Sequence, residues 1–371
     1  LSGGIDSSAV AAILQAQTSM PINTFTIGFE DPAFNEAEFA KQIAGYIGSN
    51  HTELYLTGKD ALDVVPKLTT MYDEPLADSS QSPMYLVSKL AREKVTVCLS
   101  GDGGDELFAG YNRYTQTERM LNRFGGLPGP LRQLIASAIK SVRPGRYDTV
   151  YSLLNKALGR KGGANTGAKA YKLADLLEKA DKADAYRFLC SYWQDPARLI
   201  KREVEEPLLD TPLDFNDDFM NAAMQWDQKW YLPGDNLVKA DRASMAVSLE
   251  MRLPLLDQEL IEFAWRVPLE YKYQNNTSKW LLRQVLYRYV PQEMIDRPKM
   301  GFSVPVGEWL KTDLKALAED VFNSTEFYQS TSLDKQQINS TMYLHCDGQI
   351  DASNKLWSAF SLAQWEKANR D

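Results

Sequence analysis

The sequence has few of the residues on which metal centres, disulfide frameworks and histidine-based catalysis depend. Its 371 residues include two histidines, His51 and His345, and three cysteines that form no CxxC pair. Two histidines this far apart offer no metal-ligand spacing and make a Ser-His-Asp triad difficult to build. We interpret the cysteines as reduced thiols of a cytoplasmic protein, because disulfide frameworks and zinc sites use paired, closely spaced cysteines.

Long apolar runs and an excess of positive charge are also absent. No stretch approaches the roughly 18 uncharged apolar residues that a membrane span requires. The 41 Lys and Arg residues are outnumbered by 49 Asp and Glu residues, which gives a formal net charge of −8. Such a charge argues against a broad nucleic-acid-binding face. We therefore expect neither a membrane nor a nucleic acid as partner.

Strand and helix patterns alternate up to about residue 110 and then give way to helical patterns. The predicted strands cover 23–28, 52–56 and 95–99, and the predicted helices cover 8–17, 36–46, 61–71 and 83–92. Short connections between such elements are typical of an α/β fold with a doubly wound, mostly parallel sheet. We predict an α/β core over 1–114 and a helical portion over 115–371 that extends it.

A glycine-rich loop, SGGIDSS at residues 2–8, lies between a predicted strand end and a helix start. Glycines let the backbone approach a ligand, and the first N–H groups of a helix form an anion site. Asp6 would repel a phosphate, but it suits a Mg²⁺ ion that bridges pyrophosphate oxygens. A plain Gly-Ser turn that caps a helix is the alternative, which this loop alone leaves open.

A second glycine-rich loop, LSGDGGDELFAGY at residues 99–111, follows the third predicted strand. Its carboxylates Asp102, Asp105 and Glu106 would repel one another without a cation, and a metal–triphosphate complex supplies one. The order of residues does not fit a calcium-binding EF-hand loop. Open α/β sheets bind their ligands where the strands end, so the two loops together favour a magnesium–nucleotide site.

These motifs resemble those of a known enzyme family. The first loop resembles the SGGxDS signature of the PP-loop ATP pyrophosphatases, which have an adenine nucleotide alpha hydrolase-like fold and split ATP into AMP and pyrophosphate. The second loop, the block LPGDNLVKADRASMAVSLEMRLPLLD at 232–257 and RPKMGF at 297–302 resemble motifs of the glutamine-hydrolysing asparagine synthetases. The resemblance extends from Leu1 to about Trp365. It implies ATP-dependent amidation of a carboxylate through an acyl-adenylate, with ATP and Mg²⁺ as cofactors.

The resemblance also implies a role for each matching residue. Asp102 would help to form the acyl-adenylate and accept protons as ammonia attacks, and Lys299 would neutralise charge during adenylation. The remaining residues would bind the nucleotide and its metal: Ser2, Gly3, Gly4, Asp6 and Ser7 the outer phosphates, Leu1 and Ile27 the adenosine, Ser100 and Gly101 the AMP portion, and Asp6 with Asp105 the Mg²⁺ ion.

The identity of the acceptor stays open at the level of sequence. Asp102 stands where the best-studied asparagine synthetases have Glu, and homologues with the SGDGGDE spelling include amidotransferases that act on other carboxylates. One hypothesis is amidation of aspartate to asparagine, and a second is the same chemistry on a cell-wall, peptide or sugar carboxylate. A third is a PP-loop RNA-modifying enzyme or an inactive nucleotide-binding homologue, although neither a basic extension nor a loss of Asp6, Asp105 or Lys299 supports it.

The sequence begins at the first loop, without the buried strand that normally precedes such a turn. The family pairs this domain with an N-terminal glutaminase whose first residue is a nucleophilic Cys. We therefore expect a truncated chain that receives ammonia from a glutaminase domain, with a homodimer as one arrangement left open.

Two further groups of charged residues allow two interpretations each. The loop DEPLADSS at 73–80 resembles a family loop near the substrate pocket, and by itself it is an acidic turn. Four residues of the 232–257 block are candidates either for substrate ligands or for a buried ion-pair network between helices: Asp241, Arg242, Glu250 and Arg252.

Overall fold

A computed structural model describes residues 1–31, 34–142, 146–147, 149, 166–179, 181–194, 199–201, 218–296 and 304–369. The chain divides into two compact units. The first comprises Leu1–Gly110, Asp195–Asp210 and Met224–Asp371, and the second comprises Tyr111–Gln194 and Thr211–Ala223. Within the described residues, every helix is too short or too polar to cross a lipid bilayer.

The first unit opens with alternating helices and strands, as predicted. The elements are α1 (Ile5–Ala16), β1 (Asn23–Phe29), α2 (Ala37–Ile47), β2 (Asn50–Leu56), α3 (Gly58–Met71), α4 (Gln81–Arg92), β3 (Val97–Leu99) and α5 (Gly104–Leu107). β1 and β2 pair in parallel, from Asn23 opposite Asn50 to Phe29 opposite Leu56. β1 is buried from Thr24 to Phe29, which explains its nearly continuous β-branched and aromatic sequence.

Local signals account for several of these boundaries. α3 begins with a capping box, in which the Thr57 side chain accepts from the Asp60 N–H and the Asp60 carboxylate accepts from the Thr57 N–H. α2 is followed by Gly48, whose φ of 77° is the left-handed conformation that glycine adopts without strain.

The second unit consists of helices in its described part. They are α6 (Asn112–Phe124), α7 (Gly129–Lys140), α8 (Thr166–Leu177) and α9 (Lys182–Cys190). Ala136 of α7 packs with Ala174 and Leu177 of α8 in a small core. The Tyr114 and Tyr186 rings stack at a centroid distance of 6.3 Å.

The chain continues through α10 (Phe219–Trp226), which crosses the division, into a π-helical segment (Asp227–Leu237) of the first unit. The elements that follow are α11 (Val238–Met245), β4 (Glu250–Arg252), a 3₁₀ turn (Pro254–Leu256), α12 (Gln258–Arg266), α13 (Leu269–Lys272), β5 (Tyr273–Gln274), β6 (Thr277–Ser278), α14 (Trp280–Leu286), α15 (Gln292–Ile295), α16 (Val306–Lys311), α17 (Lys315–Asn323), α18 (Thr325–Thr331), α19 (Lys335–Cys346) and α20 (Ser353–Ala368).

The part of the chain beyond residue 114, for which the sequence predicted a helical portion, also contains short strands. β3 pairs in parallel with β4, and β5 and β6 form an antiparallel hairpin. β4 has only three residues, Glu-Met-Arg, which is too short and polar for a recognisable alternation. β3 is also shorter than predicted, and Val97 and Leu99 are each 40% exposed rather than buried. The described parallel strands form two separate pairs, so a continuous doubly wound sheet stays a prediction.

One hydrophobic core supports both glycine-rich loops. Ala9 and Ala12 of α1 pack with Leu107 and Phe108, which lie in the second loop, and with Leu286 of α14. Because α14 follows the β5–β6 hairpin, this core joins three distant parts of the sequence beneath the loops.

We predict that Leu286→Ala lowers the free energy of unfolding by about 2–5 kcal/mol, because Leu286 is fully buried and alanine would leave a cavity. Urea unfolding followed by circular dichroism measures the change. Leu14→Ala in α1, where the side chain is 38% exposed, is the control and should change the stability by less than about 1 kcal/mol. Equal effects of the two substitutions would contradict this role of the core.

Candidate active site

The first loop folds onto the N-terminus of α1. Gly3 has a φ of 72°, and Gly4 is the N-cap residue with an extended backbone. The Ser2 N–H donates to Ser7 Oγ at 3.1 Å, and the Gly4 N–H donates to Ser2 Oγ at 3.2 Å. The two hydroxyl oxygens lie 3.0 Å apart. Four of the predicted phosphate-binding residues are therefore gathered in a single turn at a positive helix end.

The second loop lies against the first. A Cβ atom added to Gly101 would lie 2.6 Å from the backbone nitrogen of Ser7, and one added to Gly104 would collide with the Asp6 carboxylate. Gly103 adopts a φ of 92°, which favours glycine. Glycine is thus required at 101 and 104 for close approach and at 103 for the backbone turn.

Lys279 brings the carboxylates of the two loops together. Its Nζ forms ion pairs with Asp6 Oδ2 and with Asp105 Oδ1, the latter at 2.8 Å. The lysine side chain is 3% exposed, whereas the two aspartates are 18% and 20% exposed. The structure thus brings Asp6 and Asp105 together at one lysine, while their role as ligands of one Mg²⁺ ion stays a prediction.

The backbone of Lys279 is held in an uncommon conformation. Its φ is 56°, in the left-handed region, and its N–H donates to the carbonyl oxygen of Phe108 at 3.0 Å. Burial acts to lower the pKa of Lys279, but the carboxylates of Asp105 and Asp6 outweigh it and raise that pKa above its usual value. The lysine is therefore a permanent cation between two anions.

The donor set at this position suits a magnesium ion bound together with a ligand. Mg²⁺ usually takes one or two carboxylates and completes its coordination with water and phosphate oxygens, and Asp6 and Asp105 supply two. The described residues contain no group of three or more His, Cys, Asp or Glu side chains that could hold a metal by themselves. His345 is buried, with its Nε2 3.0 Å from the Gly307 carbonyl oxygen.

Asp102 has surroundings different from those of Asp105. The Ser100 hydroxyl donates to Asp102 Oδ2 at 2.6 Å, and the Ser100 N–H donates to the Arg252 carbonyl oxygen at 3.0 Å, next to the β3–β4 pair. The Asp102 carboxylate also contributes to raising the pKa of Lys239. Asp102 therefore lies within electrostatic range of a second charged cluster.

That second cluster consists of Asp78, Asp235 and Lys239. Lys239 Nζ pairs with Asp78 Oδ2 at 2.5 Å, and the Lys239 side chain is 9% exposed. Burial tends to raise the pKa of Asp78, but Lys239 holds it below its usual value. Burial and the neighbouring Asp78 raise the pKa of Asp235 to about 6. Because Lys239 pairs directly with Asp78, Asp235 is the carboxyl group that gains a proton more readily.

Other sequence-based candidates lie in different places. Leu1 borders β1, where its backbone nitrogen donates to the Phe25 carbonyl oxygen at 2.7 Å. Ile27 lies within β1 opposite Leu54, with its side chain 4% exposed. Lys299 falls outside the described residues, so its role stays a prediction.

The four charged residues of the 232–257 block do not form a buried network between helices. They are Asp241, Arg242, Glu250 and Arg252. Arg242 pairs with Asp73 at 2.7 Å, with the two side chains 44% and 80% exposed, and the Glu250–Arg252 pair is also exposed. Such surface pairs contribute little to stability. Of the loop at 73–80, Asp78 is the residue that reaches the charged cluster next to Asp102.

Sequence reasoning assigned no role to Lys279, Lys239 or Asp235. Lys239 and Asp235 belong to the 232–257 block, so the motif gave a signal without a function. Lys279 belongs to none of the motifs. The sequence indicates that Asp6 and Asp105 need a positive charge nearby. It does not show which of the 41 Lys and Arg residues provides that charge.

We predict that Lys279→Met lowers the free energy of unfolding by about 3–5 kcal/mol at neutral pH, because it leaves two carboxylates together without a cation. Adding Asp105→Asn to Lys279→Met should restore part of the loss. Chemical unfolding measures both, with Lys315→Met as the control, because Lys315 is half exposed. An unchanged stability of Lys279→Met would show that the ion pairs do not hold the loops.

We predict a second effect on the pH dependence of stability. Because the folded pKa of Asp235 is raised to about 6, the folded state binds this proton more tightly than the unfolded chain. The contribution is fully present below the unfolded pKa of about 4 and is lost as the pH rises through 6. Asp235→Asn should therefore gain stability relative to wild type between pH 4 and 7, by on the order of 2 kcal/mol. Parallel pH profiles of the two proteins would contradict the shift.

Comparison with known proteins agrees with the motifs and the geometry. Asparagine synthetase [glutamine-hydrolyzing] 1 of Bacillus subtilis is 30% identical over 369 residues, which cover 100% of this chain and 55% of that protein. Asparagine synthetase [glutamine-hydrolyzing] 3 of the same organism is 24% identical, over 92% of this chain and 50% of that protein. The mouse asparagine synthetase [glutamine-hydrolyzing] is 41% identical over 121 residues, 30% of this chain and 21% of its own length.

The chain thus spans about half the length of the two bacterial relatives. The family model for asparagine synthase matches residues 1–367, which include both glycine-rich loops, the 232–257 block and the 297–302 segment. This chain belongs to the asparagine synthase family.

Proposed function

We propose that the chain catalyses the ATP-dependent amidation of a carboxylate, with aspartate as the acceptor and ammonia as the nitrogen donor. The observation that carries this proposal is the convergence of Asp6 and Asp105, from two touching glycine-rich loops, on the buried Lys279. A phosphate-binding turn, two carboxylates and a buried cation in one place are what a magnesium–ATP complex needs.

The first loop and Lys279 would bind the two outer phosphates of ATP. The N-terminus of α1 provides backbone N–H groups and a positive helix end, and Ser2 and Ser7 provide hydroxyls. Lys279 would stabilise the negative charge that builds up on the departing pyrophosphate, since fixed cations are the main contribution of a protein to such a step. Ser100 and Gly101, at the adjoining loop, would contact the AMP portion.

Asp6 and Asp105 would hold the Mg²⁺ ion on these phosphates. The ion would supply charge neutralisation at the phosphate oxygens when bound. Lys279 already balances both carboxylates in this structure, so it keeps the two loops together independently of the nucleotide.

The proposed reaction has two steps. A carboxylate oxygen of the acceptor attacks the α-phosphorus of ATP, and the bond to the β-phosphate oxygen breaks, which releases pyrophosphate and leaves an acyl-adenylate. Ammonia then attacks the acyl carbon, the bond to AMP breaks, and a proton leaves the nitrogen. Asp102, held by Ser100, would accept that proton, and Lys299 would assist the first step.

The wider organisation is part of the same proposal. The β1–β2 and β3–β4 pairs would belong to one doubly wound sheet, with the α/β core over 1–114 and a helical portion over 115–371. Support comes from a small hydrophobic core that contains Phe25 of β1 and against which Cys98 of β3 packs. A glutaminase domain would deliver the ammonia.

A different carboxylate acceptor is the second candidate. Position 102 has Asp, whose side chain is shorter than the Glu of the best-studied asparagine synthetases. Asp102 interacts electrostatically with Lys239, whose cluster contains two carboxylates and one ammonium group. A larger acceptor, such as a peptide or cell-wall carboxylate, would be adenylated by the same loops. The two candidates therefore differ only in which carboxylate supports the first step.

We predict that the chain exchanges labelled pyrophosphate into ATP when Mg²⁺ and aspartate are present, and forms AMP when ammonium is added. Asp105→Asn should lower the exchange rate about a hundredfold, because it removes one of the two carboxylates for Mg²⁺. Lys315→Met is the matched surface control and should retain the wild-type rate. Exchange with another carboxylate alone would select the second candidate, and absence of exchange with every carboxylate tested would refute the amidation chemistry.

A further inference from the structure

Glu106 is adjacent to Asp105 in the acidic loop but faces another part of the molecule. The residue is 1% exposed. Its backbone carbonyl oxygen accepts a hydrogen bond from Gln228 Nε2 at 2.8 Å, and its Oε1 accepts one from Asn236 Nδ2 at 3.2 Å. Both the main chain and the carboxylate of Glu106 are thus held by amide groups from the π-helical segment.

The two amide groups come from opposite ends of that segment and are themselves fixed. Gln228 Oε1 accepts from Trp265 Nε1 at 2.9 Å, so both ends of the Gln228 amide are occupied. Asn236 Oδ1 accepts from Lys239 Nζ at 3.3 Å, and Lys239 pairs with Asp78. π-helical turns are rare and occur often at functional sites, and this one spans eleven residues.

We propose that Glu106 is a positioning residue, which the π-helical segment clamps through Gln228 and Asn236 so that Asp105 points at Lys279 and the metal–nucleotide complex. The proposal rests on the proposed function, since it concerns the binding of magnesium–ATP at Asp105. It also extends that function to a segment that lies more than a hundred residues away in sequence.

The geometry of α5 explains why one residue can fix the next. α5 has four residues and makes about one turn, so it has little rigidity of its own. Successive helical residues point about 100° apart, so Glu106 and Asp105 face different directions from the same turn. The carbonyl oxygen and the carboxylate of Glu106 are both hydrogen-bonded, and the Asp105 carbonyl oxygen accepts from the Gly110 N–H at 2.8 Å. The peptide groups on both sides of Glu106 are therefore held.

The Asn236–Lys239–Asp78 contacts connect the clamp to the cluster beside Asp102. The hydrogen bonds from Glu106 to Asp78 through Asn236 and Lys239 form a continuous path in the first unit. The orientation of Asp105 and the arrangement of the cluster formed by Asp78, Asp235 and Lys239 would therefore depend on the same segment.

The test is a reversal of the hydrogen bond between Glu106 and Asn236. Asn236→Asp replaces the amide donor by a second carboxylate and should weaken the binding of magnesium–AMPPNP about tenfold, in the range for residues that orient a metal ligand. Adding Glu106→Gln to that variant restores a donor and an acceptor with reversed polarity. The double variant should bind within about threefold of wild type, as expected for a directly coupled pair. Isothermal titration calorimetry measures the affinities.

Two controls separate this role from others. Lys229→Ala, on an exposed residue of the same segment, should bind magnesium–AMPPNP as wild type does, and thermal unfolding checks that each variant is folded. Repeating the titration without Mg²⁺ should reduce the difference between Asn236→Asp and wild type, because the clamp acts through Asp105.

The outcomes are distinguishable. If the double variant binds as weakly as Asn236→Asp, the Glu106 carboxylate itself is needed and the positioning role is overturned. If Asn236→Asp binds like wild type, the clamp has no effect on the site and the proposal also fails. If the wild-type protein binds no magnesium–AMPPNP, the proposed function fails together with this inference.

Discussion

The structure of the site depends on one charge balance, that of Asp6, Lys279 and Asp105. The Asp6 and Asp105 carboxylates would repel each other where both contact one lysine. Taking either carboxylate out of water without a partner would also be unfavourable. A lysine that is 3% exposed and paired with both removes the conflict. Because the lysine follows the β5–β6 hairpin, one interaction ties the beginning of the chain, the acidic loop and a segment near residue 280 into one site.

Close backbone approach is the second condition for this arrangement. The first turn of α1 leaves no room for a Cβ atom at position 101 or 104. A Cβ atom at position 110 would collide with Asp105 and Lys279. The glycines therefore serve the contact between the loops as much as any contact with a ligand. Such a site is assembled by the core beneath it, where α1, α5 and α14 pack, rather than by the loops alone.

The sequence predicted those parts of the site that local patterns encode. Glycine and carboxylate spacing located both loops, and the apolar run of β1 located the strand beside them. Lys279 could not be found in this way. Its position depends on the hairpin of the two-residue strands β5 and β6 and on a left-handed backbone conformation at a residue that is not glycine. The short strand β4 was not predicted for a similar reason, because its pairing with β3 and not its own sequence makes it a strand.

The acidic loop shows why residue type and spacing do not fix a role. Asp102, Asp105 and Glu106 are equivalent as carboxylates within five residues, yet each has a different partner: the Ser100 hydroxyl, the Lys279 ammonium group and the amide of Asn236. The directions of successive residues in a helical turn separate the last two. The turn thus distributes one run of negative charge among three environments. One carboxylate is bound by the Ser100 hydroxyl and one faces the cation between the loops, while the third is buried and holds the turn in place.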